Sequence, residues 1–148
     1  NDKVTIGADL DAAATATAGD TLNGGDGTDT LITTSAIAAG LTKAKTKGVS
    51  NFEILQLSDA LGNDITAANV QATGINTIVI PGGTGTLTMA AGTDNAVAMA
   101  ASLTGTLTLV DTGTGTTDAI SLSNAALVAD DMGDANNIVS TGYDYADW

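Results

Sequence analysis

Apolar residues recur in pairs two positions apart: Ile78/Ile80, Leu87/Met89, Val97/Met99, Leu107/Leu109 and Ile120/Leu122. Between them stand small or hydroxylated residues, as in Gly105-Thr106-Leu107-Thr108-Leu109. Because side chains alternate across a strand, both members of such a pair face one side, and the pattern predicts half-buried β-strands. The strands are punctuated by Gly/Thr runs such as Gly82-Gly83-Thr84-Gly85-Thr86 and Thr112-Gly113-Thr114-Gly115-Thr116, which are turn signals. The first members fall at 78, 87, 97, 107 and 120, a beat close to ten residues and therefore an internal repeat.

Two architectures satisfy this beat. One is an all-β solenoid, a parallel β-helix or β-roll with short Gly/Thr/Asp turns; the other is an antiparallel β-sandwich with turns at similar spacing. The solenoid is favoured because the inward pairs are similar in size along the chain, and stacked rungs tolerate that monotony better than a sandwich core does. Residues 1–148 are read as a single β-rich module. Within it, residues 1–34 form a turn region, 35–50 an Ala/Lys-rich loop or short helix, and 51–148 the β-rungs. Asn51 to Leu57 reads as a strand entry, and Ile65 to Val70 and Asn124 to Val128 as single helical turns. The chain starts with Asn1 rather than Met, which reads as a processed form, an excised domain or the ordered part of something longer, and the module is expected to be a segment of a larger secreted protein.

Composition narrows the chemistry. Hydrophobic residues make up 43% of the chain, yet Phe52, Tyr143, Tyr145 and Trp148 are its only aromatics, so thin regular layers suit it better than a bulky globular centre. Four Lys, no Arg and seventeen acids give a net charge of −13. Nucleic acid is excluded as a partner, since no basic patch exists to neutralise phosphates. No apolar stretch is long enough for a membrane-spanning helix. Without Cys, His or Arg, thiol nucleophiles, imidazole acid–base chemistry and guanidinium clamps are unavailable, and an enzyme is not expected. Every acid except Glu53 is Asp, a residue that belongs to turns and to hard-cation sites.

The most informative segment is Gly24-Gly25-Asp26-Gly27-Thr28-Asp29-Thr30-Leu31-Ile32. It fits the calcium-binding nonapeptide G-G-x-G-x-D-x-U-x at each defined position. Asp20 and Leu22 occupy the corresponding acidic and apolar positions nine residues earlier, in a unit whose glycines are degenerate. Glycines permit a tight turn that aims carbonyls at an ion, and the Asp supplies charge. Calcium accepts six to eight oxygens in flexible geometry, so the candidate ligands are the Asp20 and Asp29 carboxylates, with Gly24, Asp26 and Gly27 contributing backbone oxygens.

On these residues the chain resembles the hemolysin-type, or repeats-in-toxin, calcium-binding proteins over about Ala18 to Ile32. The resemblance implies a parallel β-roll with Ca2+ between turns and type I secretion. The Thr/Gly/Ala-rich remainder resembles, in style, the β-helical regions of calcium-dependent bacterial surface-layer proteins. Together they imply a calcium-binding structural module of a secreted, self-assembling protein at the bacterial cell surface. The expected partners are further copies held through calcium-dependent contacts, with a cell-surface glycan as an additional candidate. The alternative is an accessory calcium-binding domain of a type I secreted toxin, adhesin or hydrolase.

Other clusters have plainer readings. Asp118 after Gly113 and Gly115 is an ordinary turn. Asp130, Asp131, Asp134, Asn136 and Asn137 read as a solvated loop, and Asp9/Asp11 as a solvated strand edge. Lys43, Lys45 and Lys47 make an exposed face, and the C-terminal aromatics cap the last rung.

Overall fold

In the computed structural model, residues 1–7, 21–71, 74–89, 95–99, 106–111, 120–124 and 138–141 are described. The early elements are β1 (Lys3–Thr5), β2 (Leu22–Asn23), β3 (Thr30–Thr33), α1 (Ser35–Ala39), β4 (Val49–Ser50), β5 (Ile54–Leu57), β6 (Ile65–Thr66) and α2 (Ala68–Gln71). They are followed by β7 (Thr77–Ile80), β8 (Gly85–Met89), β9 (Asn95–Met99), β10 (Leu107–Asp111), β11 (Ile120–Asn124) and β12 (Ile138–Thr141).

All ladders between these strands are parallel, and they form three walls: a six-stranded sheet in the order β1-β3-β5-β7-β9-β11, a four-stranded sheet β12-β10-β8-β6, and the pair β2-β4. This is a β-solenoid, and the parallel register rules out the antiparallel sandwich. β1 and β3, which lie in the N-terminal turn region, already belong to the large sheet. Coil length follows from the register: Lys3 pairs with Thr30, Thr30 with Ile54, Ile54 with Thr77 and Thr77 with Ala96.

The ten-residue beat is half a coil. Ile78 on β7 stacks on Val97 of β9, while Leu87 on β8 stacks on Leu109 of β10, so consecutive pairs alternate between the two larger sheets. The core between those sheets contains Leu57, Ile65, Ile78, Ile80, Leu87, Met89, Val97, Leu107 and Leu109. A second cluster, Leu31, Leu41, Val49, Phe52, Leu55, Val70 and Ile75, fills the corner next to the β2-β4 pair. Burial of similar aliphatic side chains coil upon coil is what holds the stack.

The Ala/Lys-rich segment contains α1. Its N-cap is Thr34, whose Oγ1 accepts from the Ile37 N–H at 3.2 Å, and Gly40 is its C-cap. Lys43 and Lys47 are exposed and Lys45 is half-buried in the turns that follow. The helical turn expected over Ile65 to Val70 divides into β6 and the start of α2. Asn124 is the last residue of β11, and the rest of its expected turn lies outside the described residues, as do Asp9, Asp11, Asp118, the Asp130 to Asn137 loop and the C-terminal aromatics. No helix among the described residues is long and apolar enough to cross a membrane.

Candidate metal site at a solenoid corner

Gly24 to Thr28 connect β2 to β3 around one corner. Gly25 and Gly27 have φ of +89° and +123°, where an L side chain is strained. Gly24 serves a different need. A Cβ placed there would lie 1.9 Å from the Asn51 carbonyl oxygen and 2.8 Å from Asp29 Cβ, so the absent side chain lets the next coil close onto the turn.

That next coil crosses the corner with Asn51-Phe52-Glu53. Asn23 pairs with Ser50 on one side and Thr30 with Ile54 on the other, which sets Gly24 opposite Asn51 and Asp29 opposite Glu53. The single residue Phe52 therefore spans what Gly25, Asp26, Gly27 and Thr28 span below it. Phe52 is buried, whereas those four are exposed, so the turn bulges toward solvent. It is pinned by the Gly24 N–H to the Ser50 carbonyl at 3.1 Å, by Asn51 Nδ2 to Asn23 Oδ1 at 2.8 Å and by the Thr28 N–H to Asn1 Oδ1 at 2.9 Å.

Asp29 ends the turn and is 0% exposed. Its Oδ1 accepts from the Asp2 N–H, and the Asn1 backbone nitrogen lies 3.5 Å from the same oxygen. Its own N–H donates to Glu53 Oε2 at 2.8 Å, and its carbonyl accepts from the Glu53 and Ile54 N–H groups at 3.2 and 3.1 Å. Oδ2 is buried without a hydrogen-bond partner. An unpaired buried carboxylate oxygen is costly, and a donor or cation there would remove the cost.

Of the other expected ligands, Gly24 is buried against the next coil, Asp26 and Gly27 are exposed in the bulge, and Asp20 lies outside the described residues. Among the described residues no three His, Cys, Asp or Glu side chains converge as a metal cluster. Among the described residues, an ion at this corner would consequently depend on one carboxylate, that of Asp29, and on turn carbonyls. That donor set is all oxygen, which suits calcium rather than a softer metal.

The sequence reading missed a second use of the acids. Glu53 Oε2 accepts from the Asp29 N–H, Asp59 Oδ1 from the Ser35 N–H at 2.6 Å, and Asp64 Oδ1 from the Thr86 N–H at 2.8 Å. Each carboxylate reaches across to a neighbouring coil and satisfies a backbone donor at the end of a strand or helix. Asp2, Asp29, Glu53 and Asn76 all stand immediately before a strand of the large sheet, and that recurrence was the available signal. It repeats at the coil length, whereas the nonapeptide spacing drew attention to nine residues. No family model, no curated protein and no solved structure matches the chain.

Proposed function

We propose that the chain is a calcium-stabilised, non-catalytic structural module of a secreted protein that assembles at the bacterial cell surface. The observation that carries this reading is Asp29 Oδ2, buried and unpartnered at the foot of a glycine turn whose residues match a calcium-binding repeat. Asp29 and Asp20 would hold the ion by carboxylate, and Gly24, Asp26 and Gly27 by backbone oxygens. The ion would supply positive charge to a corner where Asp29 and Glu53 occupy successive rungs of a chain with net charge −13.

Binding restricted to the folded coil stabilises it in proportion to occupancy, by about 2.7 kcal/mol when free calcium is 100 times Kd. Such a module would be firm where calcium is abundant, outside the cell, and weaker where it is scarce. The test is thermal unfolding in chelator and in millimolar calcium for the native chain and for Asp29→Asn. A calcium-dependent rise in Tm that Asp29→Asn abolishes supports the reading. An equal Tm in both buffers for the native chain refutes it.

A further inference from the structure

The two most labile dipeptides of the chain lie at the same corner. Asn23-Gly24 is its one Asn-Gly pair and Asp26-Gly27 its one Asp-Gly pair. In each, the glycine nitrogen can attack the side-chain Cγ of the residue before it, because glycine has no side chain to hinder ring closure. At Asn23 an N–Cγ bond forms, the Cγ–Nδ2 bond breaks, and ammonia leaves with the proton given up by the nitrogen. At Asp26 the same attack expels the carboxyl OH as water with that proton. Water then opens the cyclic imide at either carbonyl, leaving aspartate or isoaspartate, whose backbone is one carbon longer. Asparagine is the thermolabile residue of the two, so in a free chain Asn23 reacts first.

The fold reverses that order. The Gly24 N–H donates to the Ser50 carbonyl of the next coil at 3.1 Å, so the attacking nitrogen is engaged. Asn23 Oδ1 accepts from Asn51 Nδ2 at 2.8 Å and from the Gly25 N–H at 3.0 Å, which fixes the carboxamide in an Asx turn. Gly24 is wedged against Asn51, where a Cβ would lie 1.9 Å from the carbonyl oxygen, and its peptide has no room to turn toward Cγ. Asn23 is exposed, so these bonds protect it and burial does not. Ring closure there requires the β2-β4 corner to open.

The second pair is not held in this way. Asp26 and Gly27 are exposed in the bulge, and among the described residues neither the Asp26 carboxylate nor the Gly27 N–H has a hydrogen-bond partner. The bond from the Thr28 N–H to Asn1 Oδ1 pins the far end of the bulge and leaves the Gly27 nitrogen free to attack.

We propose that Asp26 is the isoaspartate-forming site of the folded chain, and that Asn23, the more reactive of the two in a free chain, is held closed by the stack. The distinction matters for what the solenoid survives. An extra backbone carbon at Asp26 lengthens a bulge outside the ladders, whereas one at Asn23 would break its pairing with Ser50. Slow chemical ageing is thereby steered into a segment that register does not need. The inference stands without calcium and is tested in chelator.

The folded chain, and the same chain unfolded in guanidinium, are held in one buffer at one temperature and digested at intervals. Mass spectrometry reads the mass gain of amide conversion at Asn23, and fragmentation that marks isoaspartate reads Asp26. In the unfolded chain Asn23 should convert first. In the folded chain Asp26 should isomerise at close to its unfolded rate, while Asn23 is slowed by at least about tenfold, the factor by which the closed corner outweighs the open one. Asn51→Gly tolerates the φ of +56° and removes the Nδ2 donor, so it should speed Asn23 and leave Asp26 unchanged. If that variant does not fold, the comparison of folded with unfolded native chain decides. Asn23 converting ahead of Asp26 in the folded chain overturns the inference. So does an Asp26 as strongly protected as Asn23, or an Asn51→Gly chain that folds and protects Asn23 as well as the native chain does.

Discussion

Gly24→Ala separates glycine used for space from glycine used for backbone freedom. The added methyl would sit 1.9 Å from the Asn51 carbonyl oxygen and 2.8 Å from Asp29 Cβ. The first atom is backbone and cannot swing away, so the two coils must part at this corner. Parting stretches the 3.1 Å bond from the Gly24 N–H to the Ser50 carbonyl and the Asn51 to Asn23 side-chain bond. Overpacking costs about 1–3 kcal/mol and a lost hydrogen bond about 1 kcal/mol, which places Gly24→Ala near 3 kcal/mol, or roughly 6–12 °C in Tm for a domain of this size. Gly25→Ala is the control. Its φ is +89°, yet nothing lies within 4 Å of its Cβ, so only left-handed backbone strain of about 1–2 kcal/mol applies. Urea denaturation of both variants in chelator, which removes any ion contribution, measures the difference. If Gly24→Ala costs no more than Gly25→Ala, the close approach of the two coils is not what requires the glycine, and the argument for this corner fails.

Three further outcomes follow from the same geometry. Ser35 is 2% exposed and its Oγ accepts from the Gly62 and Asn63 N–H groups, each at 3.1 Å. Ser35→Ala should cost about 1–3 kcal/mol and speed amide exchange at Gly62 and Asn63; unchanged exchange at both would sink the assignment. Leu87, fully buried between Ile65 and Leu109 in its column, should lose about 2–5 kcal/mol as Leu87→Ala. The outward neighbour Thr88→Ala should stay within about 0.5 kcal/mol, and similar losses by urea titration would contradict the inward and outward assignment. Asp29→Asn keeps an oxygen for the Asp2 N–H while removing the charge whose second oxygen is unpaired. It also loses the charge that faces the Asn1 nitrogen at 3.5 Å and puts an amide NH2 where Oδ2 has no partner, so in chelator it should lose no more than about 1 kcal/mol, and a larger loss would mean that the carboxylate is needed without any ion.

The sequence by itself determined β5 and β7 to β11 as strands, with the inward faces of the described apolar pairs, but not β1, β3, β4 or β6, which fell in segments read as turn, loop or helical turn. Ile78, Ile80, Leu87, Met89, Val97, Leu107 and Leu109 are all buried, because a two-residue period needs only local backbone geometry to have a meaning. It also determined that Gly25 and Gly27 form a turn, since left-handed backbone is a property of the residue itself. Tertiary structure decided which strands are neighbours. The beat near ten residues was legible, but its meaning as half a coil was not, since neighbours in the stack are 19 to 31 residues apart and nothing local encodes that distance. The same holds at the corner. Gly24 is required by Asn51 of the next coil, Asp29 is buried by the turn and strand ends around it, and Glu53, Asp59 and Asp64 hold backbone donors on coils other than their own. These are contacts between rungs, created by register, and register is set when aliphatic columns such as Leu31-Leu55-Ile78-Val97 come into line and slipping by one residue would turn every apolar side chain to the wrong face.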